Sequence, residues 1–510
     1  MNNVKTKKIL DVVFYSIIIV AITLLIGDMI SAKLVGGARW SSGLPLGGVD
    51  NWLYEGGSLY TVPEKGFTPG SSYFPGIVLL SLLYRVLFGY GAETAIIITG
   101  GIIAFLSCWG FARIVTDGKK RVALLTLVSL VLFRKMFLAP TYLLEMHPDI
   151  PALMCMTWGI IALHKYVSKK NIIQYIFATL CFVGAGLFKQ NAVAMYAGLG
   201  LFTLFTHELD IKTKIKVLLS EFIAGVCVLF VVFSIDGCWY NCVSVNASHP
   251  LLSLKEYLAF GLSTIKHNKL FLGLVGLYCL QSLITPSTKE LLGKMYMLAA
   301  LFGTIFCMFG AAKYGANEGN MEAAIIALMP CVLSLFNKMI SYVKDNAIID
   351  SFIDKMNFQN NRKIRLSIAT VIIFGACFIW ICKGVCRVHG NLQKYHERIE
   401  LQKAFSRWIS TYYHELNVAY NTESYEILNA ASINKKTDLK TVEIWDMGSL
   451  ISDEQLHLIS QKEQWNIILT IDTHDEARWP VTFSEFNQLE RGLYPDVDVK
   501  VYTKKSSPLQ

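Results

Sequence analysis

The sequence predicts a polytopic α-helical membrane protein with a small α/β domain at its C-terminal end. Three observations carry this. The 510 residues are 53% hydrophobic and only 17% charged, whereas a soluble chain of this size is richer in charge. Several stretches of roughly 18 residues or more carry almost no charge, which is enough for a membrane-spanning helix. Lysines and arginines cluster in the short polar breaks between these stretches, as cytoplasmic loops do. The formal net charge of +9 therefore follows from topology and does not call for nucleic acid.

Charge sets the order of elements. Lys5, Lys7 and Lys8 place the N-terminus inside. The first helix, at about 9–27, exits; no small-residue cleavage site follows at Gly27-Asp28-Met29, so it reads as retained. Residues 28–72 form a long external loop rich in Gly, Ser and Pro. The run 94–116 returns to Lys119-Lys120-Arg121. For that parity to hold, 73–90 must not span. Its clean apolar core is only Ile77–Leu83, Arg85 interrupts it, and Pro75 suits the first turn of a half-inserted helix.

The remaining spans follow at about 122–139, 150–166, 172–187, 192–206, 217–235, 270–285, 291–310, 323–340 and 366–383, about eleven in all. Loops 140–149, 188–191, 236–269 and 311–322 fall outside with 28–72. Residues 1–386 then form the membrane module. Residues 387–510 form an external α/β domain: a charged amphipathic helix at 391–414, strands at Val442–Trp445, Asn466–Ile471 and Val497–Tyr502, and a capping box at Ser452-Asp453-Glu454-Gln455. No internal repeat is evident, which weighs against an inverted-repeat transporter.

Each external break carries polar residues a connector does not need: Asp50, Tyr54, Glu55, Glu64, Lys65 and Tyr73; Glu145, His147 and Asp149; Lys189 and Gln190; Asn246, His249 and Lys255; Lys313, Asn317, Glu318, Asn320 and Glu322. Carboxylates and cations gathered at one membrane face suit glycosyl transfer from a lipid phosphate. A carboxylate takes the proton of the attacking hydroxyl, and cations stabilise the departing phosphate. Simpler roles stand beside these. Asp50 could be a solvated loop carboxylate. Asp149, after Pro148, could stabilise a helix N-terminus. Lys189 could snorkel to headgroups. The twelve cysteines lie almost entirely in apolar runs. Cys238/Cys242 and Cys382/Cys386 share a three-residue gap, and for the first pair both a disulfide and two buried thiols stay open.

The order of these motifs resembles the GT-C superfamily of membrane glycosyltransferases, and the external α/β tail resembles its bacterial branch. Asp50, Tyr54, Leu59-Tyr60 and Tyr73-Phe74-Pro75 are similar to that family's first external loop. Glu145-Met146-His147-Pro148-Asp149 resembles its second acidic loop, Phe188-Lys189-Gln190 a recurring "KQ", and Lys313 through Asn320 and Glu322 a "K.G…N..E" segment. The resemblance implies a GT-C-like bundle and an inverting transferase in a bacterial plasma membrane. The donor would be a polyprenyl-phosphate-linked sugar, and the acceptor a cell-envelope glycan, lipid or protein. Asp50 would be the base, and Asp149 would orient substrate or a metal. Lys189 and Lys313 would hold phosphate. Tyr54, Glu64, Lys65, Tyr73, Glu145, His147, Gln190, His249, Asn320 and Glu322 would line the substrate site. No DxD triplet is present and Asn51 stands where some relatives carry Glu, so a divalent metal, the one cofactor left open, is in doubt. A flippase for lipid-linked glycan and a non-catalytic envelope protein are the competing readings.

Overall fold

The computed structural model describes residues 2–36, 43–54, 56–60, 62, 74–136, 147–190, 192–245, 247, 251–284, 291–310, 312, 325–345, 362–412, 417–420, 440–443, 467–470, 486–490, 493 and 500–505. A helix coincides with every predicted span: α1 (Asn2–Gly36), α4 (Ala92–Val115), α5 (Lys119–Met136), α6 (Asp149–Lys169), α7 (Ile172–Phe188), α8 (Ala192–Phe205), α9 (Ile211–Ser234), α11 (Lys269–Ile284), α12 (Leu291–Gly310), α13 (Met329–Asp345) and α14 (Arg362–Tyr412). Between them lie α2 (Gly43–Tyr54), α3 (Pro75–Phe88) and α10 (Leu254–His267). Among the described residues, five helices are long and apolar enough to cross a membrane, namely Asp11–Val35, Ala92–Val115, Asp149–Lys169, Ile211–Ser234 and Leu291–Gly310. Shorter apolar helices accompany them, including Pro75–Phe88, Ile172–Phe188 and Ala192–Phe205.

Local chemistry sets the helix ends. Pro75 occupies the first turn of α3, where its missing N–H costs nothing. The Asn171 side chain caps α7 by accepting from Ile173 N, and Asp210 caps α9 by accepting from Thr213 N at 2.7 Å. Ser253 and Glu256 form a reciprocal capping box at α10. At 14 residues, α3 is roughly 21 Å long, the same length as α8.

Packing joins α6 to α7, α8 to α12, α1 to α14, and α4 to α5 and α6. The α8–α12 contact is closest at Gly198, where a Cβ would lie 2.7 Å from the Leu298 carbonyl oxygen. The outward face of α9 carries Phe222, Phe230 and Phe233, all exposed, as a lipid-facing surface requires.

The structure corrects several boundaries. The first helix does not stop near residue 27 but runs to Gly36. Asp28 and Lys33 stay inside it and are buried. Asp28 is paired with Arg134 of α5, and Arg387 of α14 lies 3.8 Å away. The expected loop 28–72 therefore contains the end of α1 and all of α2. Loop 236–269 likewise holds a π-helical turn, Tyr240–Val245, and α10. The boundary expected at 386/387 falls inside α14, a continuous helix of 51 residues.

The C-terminal sheet has the order β2-β1-β3-β5-β4. Its strands are β1 (Asn417–Tyr420), β2 (Lys440–Glu443), β3 (Ile467–Thr470), β4 (Phe486–Gln488) and β5 (Lys500–Lys504). β1 pairs parallel with β2 and β3, while β5 pairs antiparallel with β3 and β4. Strands β2, β3 and β5 answer the three predicted ones; β1 and β4 were not foreseen. The predicted capping box at 452–455 lies outside the described residues.

Candidate active site

The first buried ion pair is Asp50–Arg85. On α2, Leu46, Val49 and Asp50 are buried while Trp52 and Tyr54 are exposed; the buried three share one helical face. On α3 the buried stripe is Ile77, Val78, Ser81 and Arg85. Arg85 Nε donates to Asp50 Oδ1 and Nη2 to Oδ2, both at 2.7 Å, and Nη1 donates to the Gly89 carbonyl at 2.8 Å. The side chains are 0% and 8% exposed. Asp50 is thus not a solvated loop carboxylate. Sequence reasoning missed Arg85 as a partner because it read only as an interruption of an apolar run.

The second pair forms where α6 begins and α7 ends. Asp149 opens α6 after Pro148. Lys189 caps α7 in extended backbone, its N–H bonded to the Ala185 carbonyl. Lys189 Nζ lies 3.1 Å and His147 Nδ1 2.7 Å from Asp149 Oδ2. All three side chains are buried. Lys189 therefore does not snorkel to the surface. The Gln190 side-chain oxygen beside it is buried without a hydrogen-bond partner among the described residues, an acceptor that a ligand donor would satisfy.

A small cavity of about 30 Å³ adjoins this pair. Asp149 and Lys189 supply its charge. Leu153, Met195, Gly303 and Cys307 are among its other walls, with Thr304 as a further polar group. The lining sets one charged corner against apolar walls.

The divalent metal left open by the sequence does not fit here. His147 and Asp149 offer two donors, but the Lys189 ammonium already faces the same carboxylate oxygen, and a second cation there would be repelled. Among the described residues no group of three His, Cys, Asp or Glu forms a metal site.

The two pairs sit on different helices, Asp50 and Arg85 on α2 and α3, Asp149 and Lys189 at the ends of α6 and α7. Gly76, near the start of α3, presses on Leu187 and Phe188, just before Lys189. Arg85 lies nine residues further along α3, roughly 13 Å on. The Leu252 N–H donates to the Ala312 carbonyl at 2.8 Å, so the segment before α10 meets the one after α12. Tyr54 stands exposed at the end of α2. Tyr60, fully buried, has its phenol pushed well above the ordinary range by burial and then by Cys242 and Cys238; it serves as a neutral hydrogen-bonding group. Glu64, Lys65, Tyr73, Glu145, His249, Lys313, Asn320 and Glu322 lie outside the described residues.

Residues 75–239 match the model of the dolichyl-phosphate-mannose-protein mannosyltransferase family. The match covers about a third of the chain. The matched segment contains Arg85, His147, Asp149, Lys189 and Gln190; Asp50 precedes it. No curated protein sequence matches. Among solved structures, the archaeal oligosaccharyltransferase AglB from Archaeoglobus fulgidus, in complex with an inhibitory peptide and a dolichol-phosphate, is 11% identical. Its TM-score is 0.45, over 91% of this chain and 70% of that one. The Archaeoglobus fulgidus oligosaccharyltransferase in complex with Zn and sulfate is 13% identical, with a TM-score of 0.39 over 88% and 67%.

Proposed function

We propose that the protein moves a glycosyl group from a polyprenyl-phosphate donor to a cell-envelope acceptor, with inversion, at the extracytoplasmic face of a bacterial plasma membrane. The observation that carries this reading is the buried Asp149–Lys189 pair at a largely apolar cavity, inside the family-matched segment. A lipid phosphate has the same two-part chemistry. In the reaction the acceptor oxygen attacks the anomeric carbon, and the bond to the phosphate oxygen breaks. The acceptor proton passes to a carboxylate, and the developing charge falls on phosphate. Lys189 neutralises that charge, and Asp149 holds Lys189 in place. Asp50 is the proposed base. A guanidinium bound side-on uses two of a carboxylate's roughly four lone-pair sites, so pairing with Arg85 is compatible with proton acceptance. Supplying a panel of polyprenyl-phosphate sugars to membranes carrying the protein, with envelope extract as acceptor, tests this. Mass spectrometry should find polyprenyl phosphate released from one donor; release from none of them overturns the reading.

One observation favours the flippase alternative. Glu221 lies ten residues into α9, a helix of 24 residues, and its Oε1 is buried without a hydrogen-bond partner among the described residues. Ionisable groups at that depth mark transport paths more often than connectors. Normal transfer in detergent by Glu221→Gln, where no second compartment exists, would set that reading aside.

A further inference from the structure

Cys238 and Cys242 take no part in the chemistry above. Both are buried, at 0% and 2% exposure, and their sulfurs lie 3.8 Å apart. They sit where the chain leaves α9 and enters the π-helical turn Tyr240–Val245. Tyr60, 0% exposed, approaches both thiols from the segment that follows α2. The opposite end of α9 carries Lys212, Lys214 and Lys216. A cytoplasmic position for those lysines puts the thiols toward the oxidising side, where disulfides persist.

We propose that Cys238 and Cys242 are a redox-active dithiol that closes to a disulfide by exchange with an external disulfide. The Cys238 thiolate attacks one sulfur of the external disulfide, forming a mixed disulfide and expelling one thiolate. The Cys242 thiolate then attacks Cys238 Sγ, forming the Cys238–Cys242 bond and expelling the second. The two cysteine thiol protons pass to the expelled thiolates, the pair loses two electrons, and the external disulfide is reduced to two thiols.

The neighbours assign these roles. Hydrogen bonds from Cys242 and from the Tyr60 hydroxyl pull the Cys238 thiol below its ordinary range against burial; burial pushes Cys242 up. Cys238 is therefore the nucleophile and Cys242 the resolving thiol. Closing the bond removes the thiols from Tyr60, so the redox state is coupled to segment 56–60 and through it to the end of α2. At this burial the external disulfide enters only when Tyr60 lifts, so the exchange is slower than at an exposed thiol.

The test uses the full chain in membranes treated with oxidised glutathione and then quenched in acid. Free thiols are blocked with maleimide in denaturant. After reduction, the released thiols take a second label and are located by mass spectrometry in the tryptic fragment 217–255. That fragment also holds Cys227, an exposed thiol. The expected result is joint conversion of Cys238 and Cys242 to the second label, while reduced control membranes keep all three thiols in the first label. Cys238→Ser should leave Cys242 in the first label. Tyr60→Phe, a change that keeps the ring packed, should alter the rate of conversion several-fold. Both thiols carrying the first label after oxidant treatment of the folded wild type would overturn the proposal. So would Cys242 converting equally well in Cys238→Ser.

Discussion

At the scale of single residues, two buried ion pairs set what can be changed. Arg85 loses all solvent and keeps Asp50 as its carboxylate partner. Removing one member of such a pair strands the other charge. Arg85→Gln should therefore lower stability by about 3–5 kcal/mol, and adding Asp50→Asn should recover part of the loss. A double-mutant cycle by thermal unfolding in detergent reads this; independent, additive losses would contradict it. Lys189 calls for a different experiment. Lys189→Ala should cut turnover by about 10²-fold, with Lys189→Arg retaining more than Lys189→Ala. Equal activity in all three forms would remove Lys189 from phosphate binding. The sequence exposed Asp50, His147, Asp149 and Lys189 as candidates because charge between apolar runs stands out. It hid the partner of Asp50, because a side-on bond between residues 50 and 85 depends on how α2 docks on α3.

At the scale of elements, long apolar runs were legible and docked short elements were not. The segment Gly43-Leu44-Pro45-Leu46-Gly47-Gly48 has loop composition, yet Leu46 and Val49 are buried and α2 is a helix. Tertiary burial outweighs weak propensity there. The extension of α1 past Asp28 was hidden because its stabilising partners, Arg134 and Arg387, come from distant helices. Strand β4, of 3 residues, is too short to carry an alternating pattern. Close helix packing gives its own test. At Gly198 an added methyl meets the Leu298 carbonyl at 2.7 Å and the Ala299 backbone at 3.0 Å. Gly198→Ala should part α8 from α12 and cost about 1–3 kcal/mol. An unchanged melting temperature would mean the helices are not held at that distance.

At the scale of the whole molecule, charge parity predicts one topology, with the polar corners on the external side. On that proposed topology the basic loop at Lys212–Lys216 and the segment at Leu251 lie on opposite sides. Lys214→Cys should resist a membrane-impermeant maleimide in intact cells, while Leu251→Cys, at a position that is 72% exposed, should react. The reverse pattern would invert the topology and with it the face of the reaction. The central claim is that a buried carboxylate–cation site handles a lipid phosphate sugar. The most direct measurement follows polyprenyl phosphate release from the accepted donor by wild type, Asp50→Asn and Asp149→Asn at matched folded amounts. Release by wild type, with none from Asp50→Asn and a reduced rate from Asp149→Asn, is the predicted result. Equal release from all three would contradict the account.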